Sequence, residues 1–300
     1  MEKVAIVILN YLNYKDTIEC IESLNYDIYP EKNVIIVDNG SKNESWKELN
    51  KLYKDKKDIY LLRNEENLGF AKGNNLGIYF ARKNLKCKFV LLVNNDTIFK
   101  DPTLITKLME SYKEGIGVIG PNIISADNYQ QNPIVKAFTQ EEFQKELKKL
   151  GKIKRRIKTS DIWIKIRKNK LLNEIMEKRK KVKKNKIINN ELAKLEVCSK
   201  ELVLHGACML LTKDYFDYYP YLYPKTFLYY EENILTLITK KVNLNKKYIP
   251  NVYIYHKEDQ SSKMSFNNLG NIRERYVYAS AKEYHKLLDL SYEEILKKFK

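Results

Sequence analysis

At 300 residues, with 44% hydrophobic content and a formal net charge of +17, the chain is long enough for one large domain or two small ones around a real core. Its four cysteines, Cys20, Cys87, Cys198 and Cys208, include no C-x-x-C pair, which argues against a zinc site and suits a reducing compartment better than a disulfide framework. The N-terminal apolar run lies between Lys3 and Asn10, too short for a signal core, and no window approaches about 18 uninterrupted apolar residues, so a soluble or peripheral protein is expected.

Val4 to Leu9 reads as a strand buried on both faces and ends at Asn10-Tyr11; Ile18, Ile21 and Leu24 then repeat at helical spacing. Asn33 to Val37 is a second buried strand, closed by Asp38-Asn39-Gly40-Ser41, whose Asn-Gly pair demands a turn before a helix carrying Trp46 and Leu49. Ile59 to Leu62 is a third strand. A glycine- and amide-rich loop from Arg63 to Asn75 opens a helix to about Arg82. Phe89 to Val93 is an unbroken apolar strand that stops at Asn94-Asn95-Asp96. Four strand and helix alternations predict a mainly parallel sheet with right-handed crossovers, in which ligands sit at the carboxyl ends of the strands. Asp101-Pro102 opens a further helix, and Gly117 to Gly120 is a short strand.

Beyond Ile134 the composition changes. Residues 151–190 hold 16 Lys and Arg against Asp161, Glu174 and Glu177, a local net of +13, while the rest of the chain is nearly neutral. Ile153, Ile157, Ile164, Leu171, Ile175 and Val182 recur at spacings of four and seven, which places them on one helical stripe flanked by Lys and Arg. This predicts a basic helical insertion that either packs on the main domain or lies on an anionic membrane surface. Nucleic acid is the weakest partner, since the block has no stacking platform.

The sheet pattern resumes at Leu202 to Leu211, followed by a tyrosine-rich loop from Tyr215 to Tyr223 and by Phe227-Leu228-Tyr229-Tyr230-Glu231-Glu232 at the start of a helix. Lys247 to Ile249 and Val252 to Tyr255 read as short strands, the second ending at His256. A helix from Arg273 to Leu288 and a segment from Tyr292 to Phe299 close the chain. Asp38, Asn95-Asp96 and His256 thus stand at strand ends, with an acidic pair elsewhere. A divalent metal held by one carboxylate and one further side chain, with phosphate oxygens in its other positions, would use this set, and a second carboxylate could take a proton from a hydroxyl.

Six ordered segments, Val7-Ile8-Leu9-Asn10-Tyr11, Ile36 to Ser41, Asn67 to Asn75, Leu92 to Thr97, Gly206 to Leu210 and Phe227 to Glu232, together resemble the inverting family 2 glycosyltransferases of the GT-A fold. The similarity is nearest to the bacterial rhamnosyltransferase-like members that build capsules and other surface polysaccharides. It covers roughly residues 3 to 125 and 200 to 260. The resemblance implies an α/β GT-A fold, Rossmann-like, with a mainly parallel sheet flanked by helices, a basic helical insertion and a C-terminal helical segment. The expected divisions are 1-133 for the nucleotide-sugar half, 134-200 for the insertion, 201-262 for the acceptor half and 263-300 for the C-terminal helices.

The resemblance also implies roles. Asn10 and Tyr11 would lie beside the nucleotide base, and Asp38 would bond the base or ribose. Asn67, Gly69, Gly73 and Asn74 would line the nucleoside, and Asn95 would meet the ribose or first phosphate. Asp96 stands where the family's D-x-D motif ends and would bind Mg²⁺ or Mn²⁺, with His256 closing the metal site; Asn replaces the other acidic positions. Glu232 would be the general base, with Glu231 in reserve; many members carry Asp there, shorter by one C–C bond or about 1.5 Å. Lys72 could pair with a phosphate, and His205 could line the acceptor site. The donor would be a UDP- or dTDP-linked sugar and the acceptor a lipid-linked saccharide, met at the inner face of the cell membrane from the cytoplasm. The rival readings are a nucleotide-sugar-binding protein without catalysis and a basic nucleic-acid-binding protein.

Overall fold

The structure, a computed structural model, describes residues 1–133, 195–257 and 270–300. The helical stripe and basic block expected within 134–194 lie outside the described residues.

The first half winds as read. Strand β1 (Val4–Asn10) leads to α1 (Tyr14–Leu24), β2 (Lys32–Asn39), α2 (Ser45–Tyr53), β3 (Ile59–Asn64), α3 (Gly69–Lys83) and β4 (Phe89–Asn94). Strands β3, β2, β1 and β4 lie side by side and parallel, with Val7 opposite Ile35 on one flank and Leu92 on the other. Alternate residues of β1 serve two cores. Ala5 and Val7 face Ile78 and Ala81 of α3, whereas Val4, Ile6 and Ile8 pack with Cys20, Leu24 and Leu49 from α1 and α2. Burial on both faces is why these strands carry no polar alternation.

The second half departs from the reading. Strand β5 (Thr97–Phe99), α4 (Leu104–Glu110), β6 (Ile116–Ser125), β7 (Val197–Ser199), β8 (Cys208–Leu211) and α5 (Lys213–Tyr218) precede α6 (Glu231–Lys241), β9 (Asn245–His256), α7 (Gly270–Leu288) and α8 (Tyr292–Leu296). The sheet order is β3-β2-β1-β4-β8-β6-β9-β5, with β7 on β9, and β8 runs antiparallel to both β4 and β6. The expected strand from Leu202 shortens to Cys208–Leu211, and the two short strands around Ile249 and Val252 are one bulged strand, β9. Strand β6 likewise continues through Pro121, where its register with β9 shifts. Because β7 pairs with β9, the sheet resumes at Val197 rather than at Leu202.

Helix α8 begins with a capping box between Ser291 and Glu294, and the C-terminal Phe299 stacks on Tyr219 at 5.2 Å. The aromatic loop is therefore buttressed from behind by the chain's own end.

Candidate active site

The carboxyl ends of β1, β2 and β4 meet over one buried polar network. Asn10 Nδ2 donates to Asp38 Oδ2 at 2.7 Å, Thr17 Oγ1 donates to Asn10 Oδ1 at 2.9 Å, and Asn95 Nδ2 donates to Thr17 Oγ1 at 3.1 Å. Asp38 is fully buried. Its Oδ1 accepts the Ser41 N–H at 3.0 Å and lies 3.7 Å from Arg63 Nε. The expected ligand groups Asn10, Asp38 and Asn95 are thus already bonded to protein, and they form a floor rather than a set of open donors and acceptors. Tyr11, at the bend after β1, is half-buried.

The amide-rich loop is also tied to the protein. Asn39 Nδ2 donates to Asn67 Oδ1 at 2.9 Å, and Asn74 Nδ2 donates to the Phe70 carbonyl at 3.0 Å. Gly69 has φ +82°, and a Cβ there would lie 2.2 Å from the Phe227 carbonyl oxygen; at Gly73 it would lie 2.7 Å from Leu9 Cδ1. The close approach that these glycines permit is therefore to the protein's own chain. Phe70 N–H donates to Phe227 O at 2.8 Å, which docks the loop onto the segment leading to Glu231 and Glu232.

Asp96 follows β4 and is buried beside His256, the last residue of β9, because Thr97 pairs with His256 across the β5–β9 ladder. Asp96 Oδ1 lies 3.2 Å from His256 Nε2, and His256 Nδ1 lies 2.8 Å from Gln131 Oε1. When Nδ1–H donates to Gln131, Nε2 turns its lone pair toward a carboxylate, an arrangement that a cation between the two would satisfy. The donor set therefore fits a divalent metal. Among the described residues no cluster of three or more His, Cys, Asp or Glu forms, so the remaining positions would fall to phosphate oxygens or water.

The acidic pair reaches the same end of the sheet through the segment before β8. Asn94 N–H donates to the Ala207 carbonyl at 2.9 Å, and Gly206 N–H donates to Glu232 Oε1 at 3.1 Å. A Cβ on Gly206 would stand 3.0 Å from that oxygen, so the glycine makes room for the carboxylate. The His205 ring sits edge-on to His256, centroids 5.6 Å apart, while its Nδ1 accepts the Ala207 N–H at 3.1 Å. Asp96, His256, His205, Gly206 and Glu232 form one contact chain. Glu231 points elsewhere; burial first, and the neighbouring Glu232 charge second, push its carboxyl up to about 8.

The turn into α6 is strained. Tyr229 and Tyr230 adopt φ +73° and +69°, and Tyr230 gives the helix no side-chain cap. Sequence reading missed this, along with Gln131 and Arg63, because nothing in the local pattern marks them.

Residues 4–219 match the family model described as glycosyl transferase family 2. The chain belongs to glycosyl transferase family 2. Among curated relatives of this family 2 chain, "Glycosyltransferase GlyG" of Streptococcus pneumoniae serotype 4 (strain ATCC BAA-334 / TIGR4) is 24% identical over 131 residues, 44% of this chain and 42% of GlyG. The match thus spans less than half of that relative. Among solved structures, S. aureus TarS 1-349 superposes with a TM-score of 0.50 at 14% identity, covering 96% of this chain and 72% of that one. The fold is GT-A, as expected.

Proposed function

We propose that this family 2 chain is an inverting glycosyltransferase that moves a sugar from a nucleoside-diphosphate sugar to a saccharide acceptor. The observation that carries the reading is the contact chain from Asp96 to Glu232, which brings a metal-type pair and a carboxylate to one end of the sheet. Glu232 takes the proton from an acceptor hydroxyl. That oxygen bonds to the anomeric carbon while the bond from the carbon to the diphosphate breaks on the opposite face, inverting the configuration. A divalent cation, Mg²⁺ or Mn²⁺, held by Asp96 and His256, would neutralise charge on the leaving diphosphate.

The Asn10, Asp38 and Asn95 network supports the nucleoside from beneath, Tyr11 flanks the base, and the loop carrying Asn67, Gly69, Gly73 and Asn74 walls the pocket. The Gly206 N–H, bonded to Oε1, orients the Glu232 side chain. No helix among the described residues is long and apolar enough to cross a membrane. A lipid-linked acceptor of surface-polysaccharide assembly, met at the inner face of the membrane, gives the basic block at 151–190 a physical role, because lipid phosphate and carrier diphosphate both attract it.

A thermal-shift screen of UDP-, GDP- and dTDP-sugars with and without Mn²⁺ tests the donor assignment. A ligand that binds only the folded state raises the melting temperature. The expected result is a rise with a UDP- or dTDP-linked sugar that grows with Mn²⁺; no rise with any donor contradicts the reading.

A further inference from the structure

Glu231 and Glu232 are consecutive in the first turn of α6, yet they occupy different surroundings. Glu232 Oε1 accepts from Gly206 N–H at 3.1 Å. Glu231 Oε1 and Thr226 Oγ1 are buried with no hydrogen-bond partner of normal geometry, and weaker contacts from the Thr226 hydroxyl and the Glu231 and Tyr229 amides draw the Glu231 carboxyl down by less than burial raises it. Both residues line a cavity of about 10 Å³ behind the helix, walled by Ala71 of α3, Leu222, and Leu235 and Ile238 of α6. Its remaining polar wall is Tyr223, whose hydroxyl donates to Glu283 Oε1 of α7 at 2.7 Å and so turns toward that helix. The charge that bears on Glu231 is therefore that of Glu232, on its own helix.

An ionised carboxylate in such a cavity is costly, whereas a carboxylic acid needs only one acceptor for its proton, and Thr226 Oγ1 shares the cavity. The turn is a point of strain, since Tyr229 and Tyr230 are both left-handed and Tyr230 gives α6 no side-chain cap; Ser280 Oγ holds the Leu228 carbonyl at 2.8 Å on the side before it, and Glu231 lies on the helix side. We propose that Glu231 is a positioning residue whose un-ionised carboxyl anchors the first turn of α6 in this cavity, leaving Glu232 as the member of the acidic pair that faces the site. The inference rests on the assignment of Glu232 as base.

Its chemistry follows from the two environments. While Glu231 keeps its proton, Glu232 has no like charge beside it and the first turn stays seated. Loss of that proton puts a second negative charge into apolar space next to the first, and the strained turn is the part able to yield.

The test is the pH dependence of stability in the full chain. An unfolded Glu titrates near 4.5 and the folded Glu231 near 8, so between those values unfolding releases a proton and stability falls as the pH rises. Glu231→Gln carries no such proton. Its melting temperature should therefore gain on wild type from pH 5 to pH 8 and keep a constant lead above that. Calorimetry of the wild type in two buffers of different ionisation enthalpy reads the same proton should the variant fail to fold, with about one extra proton released on unfolding near pH 6.5. A lead that does not change with pH, or no proton release, overturns the un-ionised anchor.

The rate arm tests positioning, using hydrolysis of the UDP- or dTDP-linked sugar that raises the melting temperature most. Wild-type kcat should fall above pH 8, and Glu231→Gln should lose that fall. An alkaline fall that survives in Glu231→Gln overturns the positioning role. The melting arm needs no substrate, so it stands or falls separately from the assignment of Glu232.

Discussion

Gly206 donates its backbone N–H to Glu232 Oε1 at 3.1 Å, and this bond ties the start of α6 to a segment that touches β4. Through it Glu232, far along the chain, comes to the same end of the sheet as Asp96. A Cβ at Gly206 would lie 3.0 Å from Glu232 Oε1, so a larger residue there would require the carboxylate to shift.

Asp96 and His256 are expected to act together on the metal. Asp96→Ala should abolish any gain in turnover from added Mn²⁺, and His256→Ala should raise the Mn²⁺ concentration needed for half activation by about 10- to 100-fold, as loss of a ligand partner does. The measurement is turnover against Mn²⁺ after treatment with EDTA. Full wild-type activity in EDTA would contradict the metal role.

The buried network of Asn10, Asp38 and Asn95 should matter for folding. Asn10→Ala removes a donor from the buried Asp38 carboxylate and an acceptor from Thr17, a loss of about 1–3 kcal/mol. Chemical denaturation would read it. A change below about 0.5 kcal/mol would mean that the network rearranges at little cost.

Gly69→Ala should be harmful at a distance. The new Cβ meets the Phe227 carbonyl, and φ +82° strains any L side chain, so a cost of about 1–3 kcal/mol or more is expected, with turnover falling because Phe227 leads into the turn before Glu231 and Glu232. Melting temperature and kcat should drop together. Wild-type values for both would show that the loop does not carry the acidic pair.

Thiol labelling checks the packing directly. Cys20, Cys87 and Cys208 are buried and Cys198 is exposed, and burial pushes Cys20 up to about 12 and Cys87 to about 11. One cysteine should react quickly in the native protein and all four in denaturant. Two or more fast thiols would contradict this core.

Much of the first half was legible in the sequence because its strands are buried on both faces, so that runs such as Val90-Leu91-Leu92-Val93 needed no partner to be recognised. The second half was less so. The passage of β6 through Pro121 and the continuity of β9 depend on a register shift between the two strands, which is a tertiary fact. The site shows the same division. Asp96, His256 and Glu232 could be put forward as candidates from motifs, whereas the bonding of Asp38 by Asn10 and Ser41 could not. Nor could adjacent, identical residues reveal that Glu231 faces a cavity and Glu232 the Gly206 amide, because that difference comes from Ala71, Thr226 and Gly206, elements apart.

The most direct test of the account is Glu232→Gln, assayed for sugar transfer and, by titration calorimetry, for nucleoside-diphosphate binding. Removal of the general base should lower kcat by about 10²–10⁴-fold while the nucleotide Kd stays within about threefold of wild type. Turnover retained at the wild-type level would contradict the account.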